Sequence, residues 1–195
     1  MPLASRFLNH SPRWHLTLFR VRPRTEREMI IASWIKESGS LTERLIQSVG
    51  QGFRVVVLQQ RLGSGYAEER QALGLTRDQR AIIREVALQS NDQPLVLARS
   101  IIPQSTLIGA DRRLGHLGNQ PLGHILFKDP RLTRETLEVC YLRPQSIRAD
   151  APGIDPQHPE PLWGRRSLYQ LGEGHPLLVA EFFLPSLLDQ NRSSS

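Results

Sequence analysis

Two charged residues of this 195-residue chain stand inside stretches that are otherwise apolar. In residues 81–89, strand alternation places Ile82, Arg84, Val86 and Leu88 on one face and Ile83, Glu85, Ala87 and Gln89 on the other. The first of these faces is the expected core side, with Arg84 in its middle. In residues 177–184, Leu177, Val179, Glu181 and Phe183 share a face. A guanidinium and a carboxylate placed in apolar strands are costly unless something pairs with them. Two chemistries answer that need. Arg84 and Glu181 form an internal ion pair that acts as a strut, or they flank a closed, dry pocket. In the pocket, Arg84 would grip a ligand carboxylate in bidentate fashion while Glu181 meets a hydroxyl or moves a proton. Arg99 alternates with Leu95, Leu97 and Ile101 and is a second candidate cation; the plainer reading is an edge-strand arginine with its stem along the sheet. The segment Gln120-Pro121-Leu122-Gly123 reads as a helix start with proline at its first position. The N–H groups of Leu122 and Gly123 then lack intrahelical acceptors and can receive a polar ligand oxygen.

Other chemistries find no support. The six histidines show no HExxH or comparable ligand spacing, so no metal site is expected. There is no P-loop, no GxGxxG and no GxSxG. Cys140 is the only cysteine, which excludes an internal disulfide and points to a reducing, cytoplasmic setting; its apolar strand makes it an inert core thiol. Trp14, Trp34 and Trp163 are too scattered to form a box.

The elements that must position these groups follow from periodicity and punctuation. Residues 25–37 carry Met29, Ile30, Trp34 and Ile35 at helical spacing, stopped by Ser38-Gly39. Ser40-Leu41-Thr42-Glu43 is a capping-box pattern that opens a second helix through Val49. Residues 53–61 are rich in β-branched side chains and read as a strand closed by Gly63-Ser64-Gly65. Residues 81–89 and 95–102 flank a cluster of turn formers and read as an antiparallel hairpin. Residues 105–117 are expected to be helical, 121–127 a short helix and 137–142 a strand. Five prolines between 143 and 161 mark a mobile surface loop. Residues 167–171 and 177–184 form a second hairpin around Gly172-Glu173-Gly174, and 191–195 are expected to be disordered. The sum is an α+β domain on a largely antiparallel sheet.

Size and charge narrow the function classes. The length suits one domain with a real core, and no apolar run approaches the ~18 residues of a spanning helix. A secretory leader is not expected, since the start lacks an apolar h-region. The formal charge is +6, but the first 27 residues hold six arginines against one glutamate, leaving the remainder nearly neutral. Nucleic-acid binding by the body is therefore not expected. Residues 1–24 read as a basic, partly flexible arm, 25–188 as the domain, and 189–195 as a tail.

The ordered set Gly39-Ser40-Leu41-Thr42-Glu43-Arg44-Leu45, Arg84-Glu85-Val86, Ala98-Arg99-Ser100-Ile101-Ile102-Pro103, Pro121-Leu122-Gly123-His124-Ile125-Leu126-Phe127, Trp163-Gly164-Arg165-Arg166-Ser167 and Leu178-Val179-Ala180-Glu181-Phe182-Phe183-Leu184-Pro185 resembles the chorismate pyruvate-lyases over residues 25–188. The resemblance implies a monomeric, cytoplasmic α+β lyase with a six-stranded antiparallel sheet and an aromatic pocket under two helical flaps. It also implies chorismate as substrate and 4-hydroxybenzoate and pyruvate as products, at the start of ubiquinone synthesis. No cofactor, nucleic acid or membrane insertion is implied. Carried over position by position, Arg84 would bind the ring carboxylate, Glu181 would meet the ring 4-hydroxyl, and backbone at Leu41 and Leu122 would complete the pocket. Leu41 departs from the methionine of the best-known member, a change that a backbone contact tolerates. The proline-rich stretch 143–161 is longer than the family pattern. Sensor domains of some bacterial transcription regulators share this fold and bind small molecules without reaction. Such domains follow a DNA-binding domain, for which the stretch before Thr25 is too short.

Overall fold

The computed structural model describes residues 4–16, 23, 25–172 and 174–190. Its elements are α1 (Glu26–Ile35), α2 (Leu41–Val49), β1 (Phe53–Gly63), α3 (Ala67–Ala72), β2 (Ala81–Ser90), β3 (Gln93–Pro103), α4 (Leu122–Leu126), β4 (Leu132–Leu142), β5 (Leu162–Leu171), β6 (Pro176–Phe183) and α5 (Pro185–Gln190). The six strands form one sheet in the order β1-β2-β3-β6-β5-β4, and every neighbouring pair is antiparallel.

Both hairpins read from the sequence are present. Asn91 and Asp92 take positive φ of 44° and 69° between β2 and β3, the mirror-image turn whose twist matches the strands it joins. In the second hairpin, counting outward from the turn fixes the cross-strand pairs; in the first, an irregularity between Leu88 and Gln89 shifts them by one residue. Glu85 falls opposite Arg99, and Arg165 falls opposite Glu181.

The sheet is buried on two faces. On the front, α1 and α2 lay Ile31, Trp34, Ile35 and Leu45 over Val55, Val86 and Leu88. The segment from Gln104 to Leu126 covers the rest of that face, placing Leu114 and Leu126 on Ile102 and Leu177. On the back, Phe7 and Leu8 pack with Leu97, Ala180 and Phe182, and Leu73 beside α3 packs with Ile83 and Leu178. Gly164 belongs to this back layer: a Cβ there would stand 2.7 Å from Phe182 Cδ1 and 2.9 Å from Cys140 Sγ.

Several expectations are corrected. The Glu85 side of β2 is as buried as the Arg84 side, with Glu85 fully enclosed, because the N-terminal stretch and α3 cover it. Residues 4–16 do not form a solvated arm: Phe7 is 1% exposed, and His15 bridges Val139 at the edge of the sheet. Residues 1–3, 17–22, 24 and 191–195, where the remaining arm and tail readings fall, lie outside the described residues. The 143–161 stretch is not wholly surface, since Ile147 and Ala151 bury against the back layer. Residues 105–117 form two 3₁₀ turns, Gln104–Thr106 and Gly109–Gly115, rather than one α-helix. Strands β4 and β5 begin five residues earlier than expected, and α3 is unanticipated. Pro121 caps α4 in an extended conformation instead of occupying its first turn. At α2, Ser40 Oγ accepts from the Glu43 N–H at 3.3 Å, one half of the capping box. Among the described residues no helix is long and apolar enough to cross a membrane.

Candidate functional site

Arg84 and Glu181 line one cavity on the front of the sheet, together with Ser100 and Val179 beneath them and Leu41, Thr42, Leu122 and Gly123 above. Register sets their spacing. Arg84 lies opposite Ser100, and Ser100 opposite Val179, while Glu181 lies opposite Ala98. The two charged residues are therefore two strands apart and offset by one like-facing pair, ~10 Å across the sheet and ~7 Å along it. A para-substituted ring spans such an interval with one substituent near each charge.

The roof is made by two helix starts. Leu41 is the first residue of α2 and Leu122 the first of α4, so neither main-chain N–H has an acceptor within its own helix. The helices meet closely at Gly123, where a Cβ would come within 3.1 Å of Thr42 Oγ1 and 3.2 Å of Ser40 Oγ. The enclosed space is about 40 Å³, well below the roughly 150 Å³ that holds a benzene ring. The cavity is lined mainly by apolar side chains and is not cut to a ring in this form.

The charges are not paired with each other, which removes the strut. Glu181 Oε2 accepts from Arg165 Nε at 2.6 Å. The same guanidinium donates through Nη1 to the carbonyls of Trp34 (3.2 Å), Ile35 (3.4 Å) and Glu37 (2.7 Å), tying the end of α1 to the sheet. Arg134 reinforces this junction, reaching the Glu37 carbonyl at 3.2 Å and the Tyr169 hydroxyl at 2.8 Å. Tyr169 forms part of the cavity wall. Glu181 therefore enters the site already held at one oxygen.

Arg84 is in a different electrostatic position. It is 2% exposed and donates to two neutral acceptors, Gln60 Oε1 at 2.8 Å and the Gln120 carbonyl at 3.2 Å. Among the described residues it makes no ion pair. Burial alone pushes its pKa below the usual arginine value, with no acid to offset the loss of water. A buried guanidinium with spare N–H donors and no counter-charge can accept an anion in bidentate fashion.

Arg99 faces the other way and does not reach the cavity. Its Nε and Nη2 donate to Glu69 at 2.7 and 3.0 Å, and its Nη1 donates to Glu85 at 2.7 Å. Burial by itself would lower its pKa, but hydrogen bonds and charge from Glu69, then Glu85, carry it above the ordinary value. The edge-strand reading is also incorrect, because β3 is central. Cys140 is enclosed, and burial pushes its thiol pKa up, in keeping with an inert core residue.

Sequence reasoning passed over Arg165, Tyr169 and Gln60. Arg165 was findable: centring the second hairpin on Glu173 puts residues 165 and 181 opposite each other. Tyr169 was findable in the same way, since it alternates with Arg165 and Ser167 along β5; Gln60 carried no comparable signal, because it depends on a bulge in β1 that shifts strand phase.

Residues 24–193 match a family model described as chorismate lyase. A probable chorismate pyruvate-lyase of Methylococcus capsulatus is 46% identical over 167 residues, covering 83% of this chain and 99% of that protein. One from Aromatoleum aromaticum is 39% identical over 183 residues, covering 92% and 96%. Among solved structures, a possible transcriptional regulator of Bacillus subtilis superposes with a TM-score of 0.51 at 14% identity, over 71% of this chain and 60% of that one. A GntR-family regulator from Bacillus cereus gives 0.51 at 12% identity, over 70% and 94%. These two likenesses are of fold alone.

Proposed function

We propose that this chain, which belongs to the chorismate lyase family, removes pyruvate from chorismate and releases 4-hydroxybenzoate. The observation that carries the reading is Arg84: a buried cation without an acid, in a mainly apolar cavity, with a carboxylate two strands away. Chorismate has the matching parts, a ring carboxylate and, across the ring, a C4 hydroxyl beside a C3 enolpyruvyl ether.

Arg84 binds the ring carboxylate with the N–H donors left after Gln60 and Gln120 are served. Glu181, with Oε2 held by Arg165, offers Oε1 to the C4 hydroxyl. The Leu41 and Leu122 N–H groups supply further donors at the roof. Fixing the ring by both ends brings the enolpyruvyl methylene over the C4 hydrogen, and a water-excluding site favours the compact arrangement. The C4 proton then passes to the methylene carbon. The C4–H electron pair becomes the new ring double bond, the C3–O bond breaks, and the departing group becomes pyruvate with a new C=O. Atoms and electrons balance within the substrate, and aromatisation supplies the driving force. The protein's part is to hold, orient and dry the substrate.

The test is to incubate purified protein with chorismate and follow 4-hydroxybenzoate and pyruvate together. Equimolar appearance of both is the expected result. Saturable binding without turnover would replace the enzyme with a sensor of the same fold, and neither binding nor turnover would sink both.

A further inference from the structure

Arg84 divides its donors between the cavity and the segment that covers it, and the residue that arranges this division stands outside the cavity wall. In β1, Val55 and Val57 face the front of the sheet, opposite Leu88 and Val86, so strict alternation would send Gln59 there next. A bulge at Leu58 resets the phase. Gln60 then stands opposite Arg84 on the front, and Gln59 opposite Glu85 on the back. Bulges that re-aim one side chain in this way are features of a site rather than accidents of a strand.

The Gln60 carboxamide uses both of its ends. Oε1 accepts from Arg84 Nη1 at 2.8 Å, and Nε2 donates to the Gly115 carbonyl at 2.8 Å. Arg84 Nη2 reaches the Gln120 carbonyl at 3.2 Å. Both carbonyls belong to the stretch that leads into α4. The start of the same covering segment is secured elsewhere: Thr106 Oγ1 donates to the Pro176 carbonyl at 2.7 Å, and Asp111 meets Arg131 at 3.0 Å and His175 at 2.9 Å. Only residues 115–121 hang on the Gln60–Arg84 pair. A carboxamide joins an acceptor for the guanidinium to a donor for the carbonyl without adding charge.

We propose that Gln60 is a positioning residue that aims Arg84 at the ligand carboxylate and latches residues 115–121 over the bound ring. It sets how tightly the aromatic carboxylate is held and how fast it leaves, and it leaves the bond-breaking step alone. The kinetic part rests on the lyase reading above; the latch does not.

The experiment compares the full chain with its Gln60→Leu and Gln60→Glu variants by hydrogen–deuterium exchange, 4-hydroxybenzoate titration and chorismate kinetics. In Gln60→Leu, exchange over 115–121 should rise about 3- to 10-fold in the free protein, the equivalent of one lost hydrogen bond, while 105–111 stays as in the parent. Kd for 4-hydroxybenzoate and KM for chorismate should rise by a similar factor, with kcat maintained or raised. In Gln60→Glu the new carboxylate competes for Arg84. Its binding defect should exceed that of Gln60→Leu at neutral pH and shrink as the introduced carboxyl is protonated, a pH response that Gln60→Leu lacks. Unchanged exchange over 115–121 would overturn the latch, as would an equal rise over 105–111, which signals general loosening. A fall in kcat at constant KM would overturn the positioning role. Should the parent protein fail to convert chorismate, the lyase reading falls and the exchange result still decides the latch. Should it convert chorismate while exchange is unaltered, the latch alone falls.

Discussion

Arg84 and Arg99 sit on adjacent strands, and neither is more than 2% exposed, yet they face opposite sides of one sheet and live under opposite electrostatics. On the back, Arg99 meets Glu69 and Glu85 and lies over the Tyr66 ring at 4.5 Å. Glu85 is in turn held by the Arg6 main-chain N–H and by Gln59, each at 2.7 Å. On the front, Arg84 has an amide and a peptide carbonyl and no acid. A buried cation whose counter-charges come from the fold belongs to the architecture. One that the fold leaves without a counter-charge has binding capacity in reserve, and a ligand anion completes it. The second glutamate of the comparison makes the same point. Glu181 is steadied at one oxygen by Arg165 and leaves the other for the cavity.

The contrast breaks most sharply at Arg99. Arg99→Ala leaves Glu69 and Glu85 buried beside each other without a cation and should cost roughly 3–5 kcal/mol of folding stability, read from denaturant unfolding. A loss below about 1 kcal/mol would mean that the back-face pair is not architectural. A smaller effect is expected at Glu68, which accepts a hydrogen bond from Ser11 and sits beside Arg166 on the same face. Burial raises its pKa, more than the Ser11 bond lowers it. With the folded value above the unfolded one, its favourable contribution is complete below the unfolded value and is lost as pH rises through the folded value. Glu68→Gln should therefore be slightly more stable than the parent at pH 7, by less than about 1 kcal/mol. That gain should disappear toward pH 4, as followed by unfolding midpoints across pH. A comparably small stability effect is expected at Arg84. Arg84→Met removes a desolvated charge that no acid compensates, so stability should stay within about 1 kcal/mol of the parent or rise, in contrast to Arg99→Ala.

The extent to which this contrast was legible beforehand depended on the range of the forces involved. Local signals carried far: turn formers placed both hairpins, Ser40 marked the start of α2, and alternation put Arg84 and Glu181 on strand faces. Alternation failed where a face is covered by distant chain. Glu85 read as solvent-facing because nothing nearby announces that Phe7 and α3 will enclose it. The strut, one of the two readings open for Arg84 and Glu181, falls for the same reason. Arg84 and Glu181 are the obvious couple in a linear reading, but register gives Glu181 to Arg165, by counting from the second turn, and Glu85 to Arg99, through an irregularity beside the first. Gln60 lay furthest from view. A one-residue bulge decides which of two consecutive glutamines stands opposite Arg84 on the front face, and no property of the residues themselves distinguishes them.

The most direct measurement is calorimetric titration of 4-hydroxybenzoate into the parent protein and into Arg84→Met, with the fold of each verified by its unfolding transition. Saturable binding by the parent and a loss of about 2–5 kcal/mol in the variant, roughly 30- to 4,000-fold in Kd, is the expected result. Equal affinity in the two folded proteins would contradict the assignment of Arg84 as the receptor for the ring carboxylate.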